Sequence, residues 1–200
     1  MRLAFIGWAH LLALAVSVIL IGPAPSGAEP LRIVAVGASN TSGWGLGSQP
    51  AYPAHLEALL RAKGIDAQVI NAGRSFDTTA GMLRRIEMDV PSGTQLVILQ
   101  PGANDLRFLG TSEQRAANIA AIESRLRGRG ISMVLFDPVF PSEYYGFDQI
   151  HFTAAAHAQI AQRLLPIVLD TLQHRGKTVL NPHLRAPRKP PSIERSPAIP

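Results

Sequence analysis

The chain has 200 residues, 46% of them hydrophobic and 16% charged, a balance that suits one packed domain and excludes disorder along its whole length. It has no cysteine, which excludes disulfide scaffolds, thiolate metal sites and cysteine nucleophiles. The formal charge of +5 sits in the C-terminal tail, where six basic residues from Arg175 onward face the single acid Glu194; residues 29–174 are near neutral, so no basic face for nucleic acid is expected.

Residues 1–28 open with Met1-Arg2 and run apolar from Leu3 to Ile21, followed by Pro23, Pro25 and the small residues Ser26-Gly27-Ala28. This order predicts a secretory signal peptide cut after Ala28 and a periplasmic or secreted product, with an uncleaved membrane anchor as the alternative. No cysteine ends the segment, so a lipoprotein anchor is excluded.

Strand and helix then alternate. Leu31–Val36 is a short apolar run stopped by Gly37, as a buried parallel strand should be. Pro53 opens a helix with Leu56, Leu59 and Leu60 on one face, and Gly64 supplies its stop. Ala67–Asn71 reads as a second strand, and a helix follows from about Thr79 to Met88. Gln95–Gln100 is a third strand, ended by Pro101-Gly102. Thr111 with Gln114 forms a capping box for a helix reaching Arg127. Ile131–Phe136 is the fourth strand. Thr153 caps a last helix that Pro166 is expected to kink or shorten. Residues 177–200 form a proline-rich basic tail, expected to be extended and solvated, with charge for weak contact with an anionic envelope surface.

This alternation predicts an α/β fold, a three-layer α/β/α sandwich over residues 29–176 around a small parallel sheet of four to five strands. In such sheets chemistry collects at the C-terminal strand ends. There the sequence offers Gly37-Ala38-Ser39-Asn40, then Gly102-Ala103-Asn104-Asp105, then Asp148-Gln149-Ile150-His151. A serine directly after a buried strand presents its hydroxyl at the sheet rim. An aspartate three residues before a histidine can hold Nδ1 while Nε2 faces the serine.

On these blocks the chain resembles the SGNH (GDSL-type) esterase and lipase superfamily, in the style of small secreted bacterial thioesterases, lysophospholipases and arylesterases. Gly37–Asn40 matches its Gly-Asp-Ser-Leu block. Asn71–Thr78 matches a second block of the form Asn-Ala-x-x-x-Gly-Asp-Thr, Gly102–Asp105 matches Gly-x-Asn-Asp, and Asp148–His151 matches Asp-x-x-His. The resemblance implies a flavodoxin-like fold and hydrolysis of carboxylic esters or thioesters. It makes Ser39 the nucleophile, His151 the general base and acid, and Asp148 the residue that orients the histidine. The implied oxyanion hole is the N–H of Ser39, the N–H of Phe76 and the Asn104 side chain. Short-chain acyl or aryl esters are the expected substrates, because no long apolar lid is evident. No cofactor or metal is called for.

Three residues depart from the pattern. Ala38 stands in place of Asp, Asn40 in place of Leu, and Phe76 in place of the oxyanion glycine. Either Phe76 donates in an ordinary conformation and walls a narrow acyl pocket, or Gly73 substitutes for it. Only eleven residues separate Phe136 from Asp148, which predicts an open cleft.

Several features read more simply. His157 shares a helix face with Ile160, Leu164 and Val168 and is expected to pack in the core. Asp105 reads as a loop brace, and Trp44, Tyr144 and Tyr145 as either pocket lining or cover for core edges. The Asn40-Thr41-Ser42 glycosylation acceptor is read as chance. A dinucleotide-binding domain fails for want of a Gly-x-Gly-x-x-Gly frame, and a metal hydrolase for want of a third ligand near Asp148 and His151. The rival that stays open is a catalytically impaired, secreted binding protein of the same fold.

Overall fold

The computed structural model describes residues 29–108, 110–174 and 179–180; residues 1–28, read from sequence as a signal peptide, and nearly all of the stretch read as a tail lie outside these residues. In chain order the elements are β1 (Leu31–Gly37), α1 (Ser39–Ser42), α2 (Tyr52–Ala62), β2 (Ala67–Gly73), α3 (Thr79–Asp89) and β3 (Thr94–Gln100). There follow α4 (Asn104–Arg107), α5 (Ser112–Gly128), β4 (Ser132–Leu135), a 3₁₀ turn at Ser142–Tyr144, α6 (Ala154–Gln173) and β5 (Val179–Leu180).

The strands pair in parallel in the order β2-β1-β3-β4-β5. Both faces of the sheet are covered, and the two-residue strand period decides which side chain goes where. Ile33 and Ala35 of β1 and Leu96 and Ile98 of β3 join Leu56, Leu60, Ile160 and Leu164 of α2 and α6 in one core. The alternate residues Val34, Val36, Val97 and Leu99 join Met82, Ile86, Ile122 and Leu126 of α3 and α5 in the other. The fold is therefore the expected α/β/α sandwich.

Local signals act as the sequence suggests. Thr111 caps α5 through a complete capping box and Thr153 caps α6, while Thr78, which the sequence reading did not single out, caps α3. Pro166 does not shorten α6, which continues to Gln173. The proline lacks the N–H that would bond the Gln162 carbonyl, but both residues lie on the exposed face of the helix, where that carbonyl is open to solvent. Val179–Leu180, within the stretch read as tail, pairs with Val134–Leu135 as a short fifth strand. Among the described residues no helix is long and apolar enough to cross a membrane.

The chain leaves β1 toward β2 on one side and later returns to β3 on the other. The sheet thus has a switch point between the C-terminal ends of β1 and β3, where a crevice opens. The one-turn helices α1 and α4 sit at these two ends, in segments read from sequence as loops.

Candidate active site

Gly37 lets the chain turn sharply out of β1. A Cβ there would fall 2.0 Å from the Thr41 hydroxyl oxygen and 2.9 Å from the Gln100 carbonyl oxygen, so α1 could not fold back over the strand end. Ser39 is the first residue of α1, and its N–H has no acceptor within the helix. Ala38, where the resemblance places an aspartate, is buried in the core on the α3 and α5 side and brings no charge to the serine.

The segment 148–151 wraps around one carboxylate. Asp148 Oδ1 accepts the N–H groups of Ile150 and His151, each at 3.0 Å, and Gln149 takes a left-handed φ of 53° to close the turn. Oδ2 lies 2.5 Å from His151 Nδ1, and His151 Nε2 lies 3.0 Å from the Ser39 hydroxyl oxygen. The hydrogen bond from the His151 ring, followed by those from the two backbone N–H groups, holds the Asp148 carboxyl down at about 2. The Trp44 ring packs on the imidazole with centroids 4.1 Å apart. Serine, histidine and aspartate are thus joined in one line across more than a hundred residues of sequence.

Asn40 is more than a polar substitution at the rim. Its Nδ2 donates to the Ile150 carbonyl at 3.2 Å, and its Oδ1 accepts the Phe152 N–H at 2.9 Å. The residue after the serine therefore grips the backbone on both sides of His151.

The turn after β2 corrects the expectation that Phe76 keeps an ordinary conformation. Its φ is +65°, the left-handed region that glycine enters freely, and its side chain is 75% exposed. Gly73 has another job. Its N–H is given to Asn71 Oδ1 at 3.0 Å, and a Cβ there would stand 2.2 Å from the Ser42 nitrogen. It lets α1 pack against β2. Asn104, at the start of α4, donates through Nδ2 to the Asp77 carbonyl at 2.8 Å, which aligns its amide with the 74–77 turn and leaves a second amide hydrogen.

Arg85 of α3 ties these pieces together, and nothing in the sequence blocks pointed to it. Its guanidinium is 6% exposed and donates to the carbonyls of Gly37 at 3.0 Å and Ala72 at 2.8 Å, to Asp77 Oδ2 at 2.7 Å, and to Asp89. The ends of β1 and β2 and the turn carrying Phe76 are fixed by one planar group.

The remaining candidates fall outside the Ser39–His151–Asp148 line. Asp105 is buried and accepts the N–H and hydroxyl of Thr79, bracing α4 against the start of α3. His157 is 1% exposed, accepts the Tyr52 N–H at Nδ1, and is pushed down to about 4 by burial and then by the nearby charge of His55. Tyr144 and Tyr145 pack on Phe140 and Phe152. No group of three or more His, Asp or Glu side chains suited to a metal ion occurs among the described residues.

Three spaces meet near Ser39. A cavity of about 380 Å³ is walled by Trp44, Phe76, Phe108 and Ile150 and reaches His151. A recess of about 60 Å³, which shares Ser39, Asn104, Arg107 and Ile150 with that cavity, lies between Ala38, Gln100, Gly102 and Asn104. That recess opens on a trough of about 430 Å³ bounded by Leu106, Arg107, Arg115, Asp137 and Val139.

Comparison with known proteins agrees with this architecture. Residues 35–192 match the GDSL-like lipase/acylhydrolase family. Over 145 residues the chain is 29% identical to esterase TesA of Pseudomonas aeruginosa, covering 69% of this chain and 71% of that one. It is 27% identical to an arylesterase of Vibrio mimicus over 145 residues, 70% of this chain and 72% of the other. The crystal structure of AlinE4, an SGNH-hydrolase family esterase, superposes with a TM-score of 0.53 at 30% identity, covering 74% of this chain and 75% of AlinE4.

Proposed function

The chain belongs to the GDSL-like lipase/acylhydrolase family, whose members hydrolyse carboxylic esters, and from that premise we propose that it cleaves short-chain acyl and aryl esters through Ser39, His151 and Asp148. The observation that carries this reading is the unbroken contact from Ser39 Oγ to His151 Nε2 to Asp148 Oδ2, at 3.0 and 2.5 Å.

In this mechanism Ser39 Oγ attacks the ester carbonyl carbon while its proton passes to His151 Nε2. The carbonyl π electrons move to oxygen, and that charge is received by the N–H groups of Ser39 and Phe76 and by the free amide hydrogen of Asn104. Collapse breaks the ester C–O bond, and Nε2 returns its proton to the departing alcohol. Water then repeats the sequence on the acyl-enzyme and frees the acid. Asp148, ionised throughout, keeps Nδ1 protonated and the ring in register.

The two spaces that Ser39 borders differ in a way that supports the substrate class. The alcohol oxygen must sit beside Nε2 and close to Ser39, and the space bordered by both His151 and Ser39 is the aromatic cavity of Trp44, Phe76 and Phe108. The acyl group is then directed into the small recess. A series of phenyl esters from acetate to dodecanoate tests this. Turnover should peak at two to four acyl carbons and vanish in Ser39→Ala; a steady rise toward dodecanoate would contradict the short-chain assignment. The second reading, an impaired binding protein, draws on Ala38 and on the phenylalanine at position 76. Against it stands the left-handed backbone of Phe76, the conformation that a glycine at this position would enter freely.

A further inference from the structure

We propose that the cleft contains a subsite for a negatively charged group at the far end of the acyl chain, with Arg107 as its cation; this rests on the assignment of Ser39 and His151 above. The direction follows from proton transfer. The leaving oxygen must lie next to His151 Nε2, and His151 lines the aromatic cavity but neither the recess nor the trough. The acyl group therefore points into the recess, which shares Gln100, Gly102, Arg107 and Ile150 with the trough beyond it.

The trough has two kinds of surface. Leu106, Val139 and Ile150 give it an apolar wall, against which a few methylene groups would lie. Its charged side chains are Arg107, Arg115 and Asp137. Arg115 is already committed, with Nη2 on Asp137 at 2.5 Å and Nε on the Gly102 carbonyl at 3.2 Å. Arg107 has no ion pair and no side-chain hydrogen bond among the described residues, yet it borders the recess, the trough and the aromatic cavity. An uncompensated guanidinium at the mouth of a cleft draws in anions and offers a carboxylate two parallel donors. The substrate class that satisfies both surfaces is a half-ester of a short dicarboxylic acid, with an apolar spacer on Leu106 and Val139 and the free carboxylate on Arg107.

The test compares kcat/KM for phenyl hydrogen glutarate, its methyl ester, phenyl butyrate and 4-carboxyphenyl butyrate in the intact protein, in Arg107→Gln and in Arg107→Lys. The half-acid should be preferred over its methyl ester by about tenfold at low salt, and the preference should shrink as salt screens the pair. The ratio should fall to about one in Arg107→Gln and lie between in Arg107→Lys, which keeps the charge without the fork. The proposal is overturned if phenyl butyrate is hydrolysed but the half-acid gains nothing over its methyl ester. It is also overturned if the ratio survives in Arg107→Gln, or if 4-carboxyphenyl butyrate is the favoured anion, since that charge sits on the leaving side. Loss of all turnover, phenyl butyrate included, would instead remove the hydrolase reading and this subsite with it.

Discussion

The Asn40 side chain holds the backbone on either side of His151, giving a hydrogen to the Ile150 carbonyl at 3.2 Å and taking one from the Phe152 N–H at 2.9 Å. The Ser39 loop and the His151 loop come from opposite ends of the domain. This amide is the direct polar link between them apart from the Ser39–His151 contact itself. Because the link runs through main chain, it sets the position of the imidazole without touching its electronics.

Replacing Asn40 by Leu, the residue the family pattern carries there, should therefore lower kcat for phenyl acetate by about tenfold to a hundredfold while KM changes little, since loss of alignment acts on the reacting geometry. Asn40→Asp keeps the acceptor for Phe152 and loses the donor to Ile150, so its kcat should fall between. Steady-state kinetics of the three proteins decides this; equal kcat values would show that the histidine loop holds its own position.

Arg85 supplies the second constraint. Its removal would leave Asp77 without its cation and Asp89 with Arg74 alone, and would take one donor each from the Gly37 and Ala72 carbonyls. Arg85→Ala should cost about 3–5 kcal/mol of folding stability, the usual loss when one partner of a buried charge group is deleted. Urea unfolding measures it. A loss under 1 kcal/mol would mean that water replaces the guanidinium at little cost.

Phe76 presents a backbone cost with no compensating burial of its ring. Phe76→Gly should leave stability unchanged or raise it by up to about 1 kcal/mol, because relief of the left-handed conformation outweighs or matches the added freedom of the unfolded chain. Phe76→Val should lower stability, since a β-branched residue resists positive φ. In both variants KM for aryl esters should rise with loss of the aromatic wall. Unfolding curves that rank valine above glycine would contradict the strain account.

Acid sensitivity of the fold should come from His157 as well as from carboxylates. Burial lowers its folded-state value to about 4 from an ordinary 6.5, so the unfolded chain binds the proton first. Stability should be fully present above pH 6.5 and decline by about 3 kcal/mol as pH falls to 4. His157→Asn retains an acceptor for the Tyr52 N–H and does not titrate, so its melting temperature should vary less over that interval. An identical pH slope in the two proteins would show that His157 is not the proton acceptor.

The sheet, its order of elements and two of the helix caps were legible because they depend on short-range chemistry: β-branched runs closed by glycine, and Thr at the caps of α5 and α6. Ser39, Asn104, Asp148 and His151 could be picked out because each follows a strand end or precedes a cap. The Asn40 bridge, the Arg85 clamp and the packing of Trp44 on His151 were not legible. Each joins residues far apart in sequence, and no local spacing encodes such a pair. The Phe76 backbone was misjudged for a related reason: local preference argues against positive φ, but the surrounding turn, held by Arg85 and Asn104, imposes it.

Whether Ser39 is an activated nucleophile is read out by intact-mass spectrometry after treatment with a fluorophosphonate. The account predicts a single covalent adduct on the folded protein, absent in Ser39→Ala and much slowed in His151→Ala. A folded protein that gains no adduct would contradict it and leave the binding-protein reading, with Ala38 and Phe76 as the residues that silenced the site.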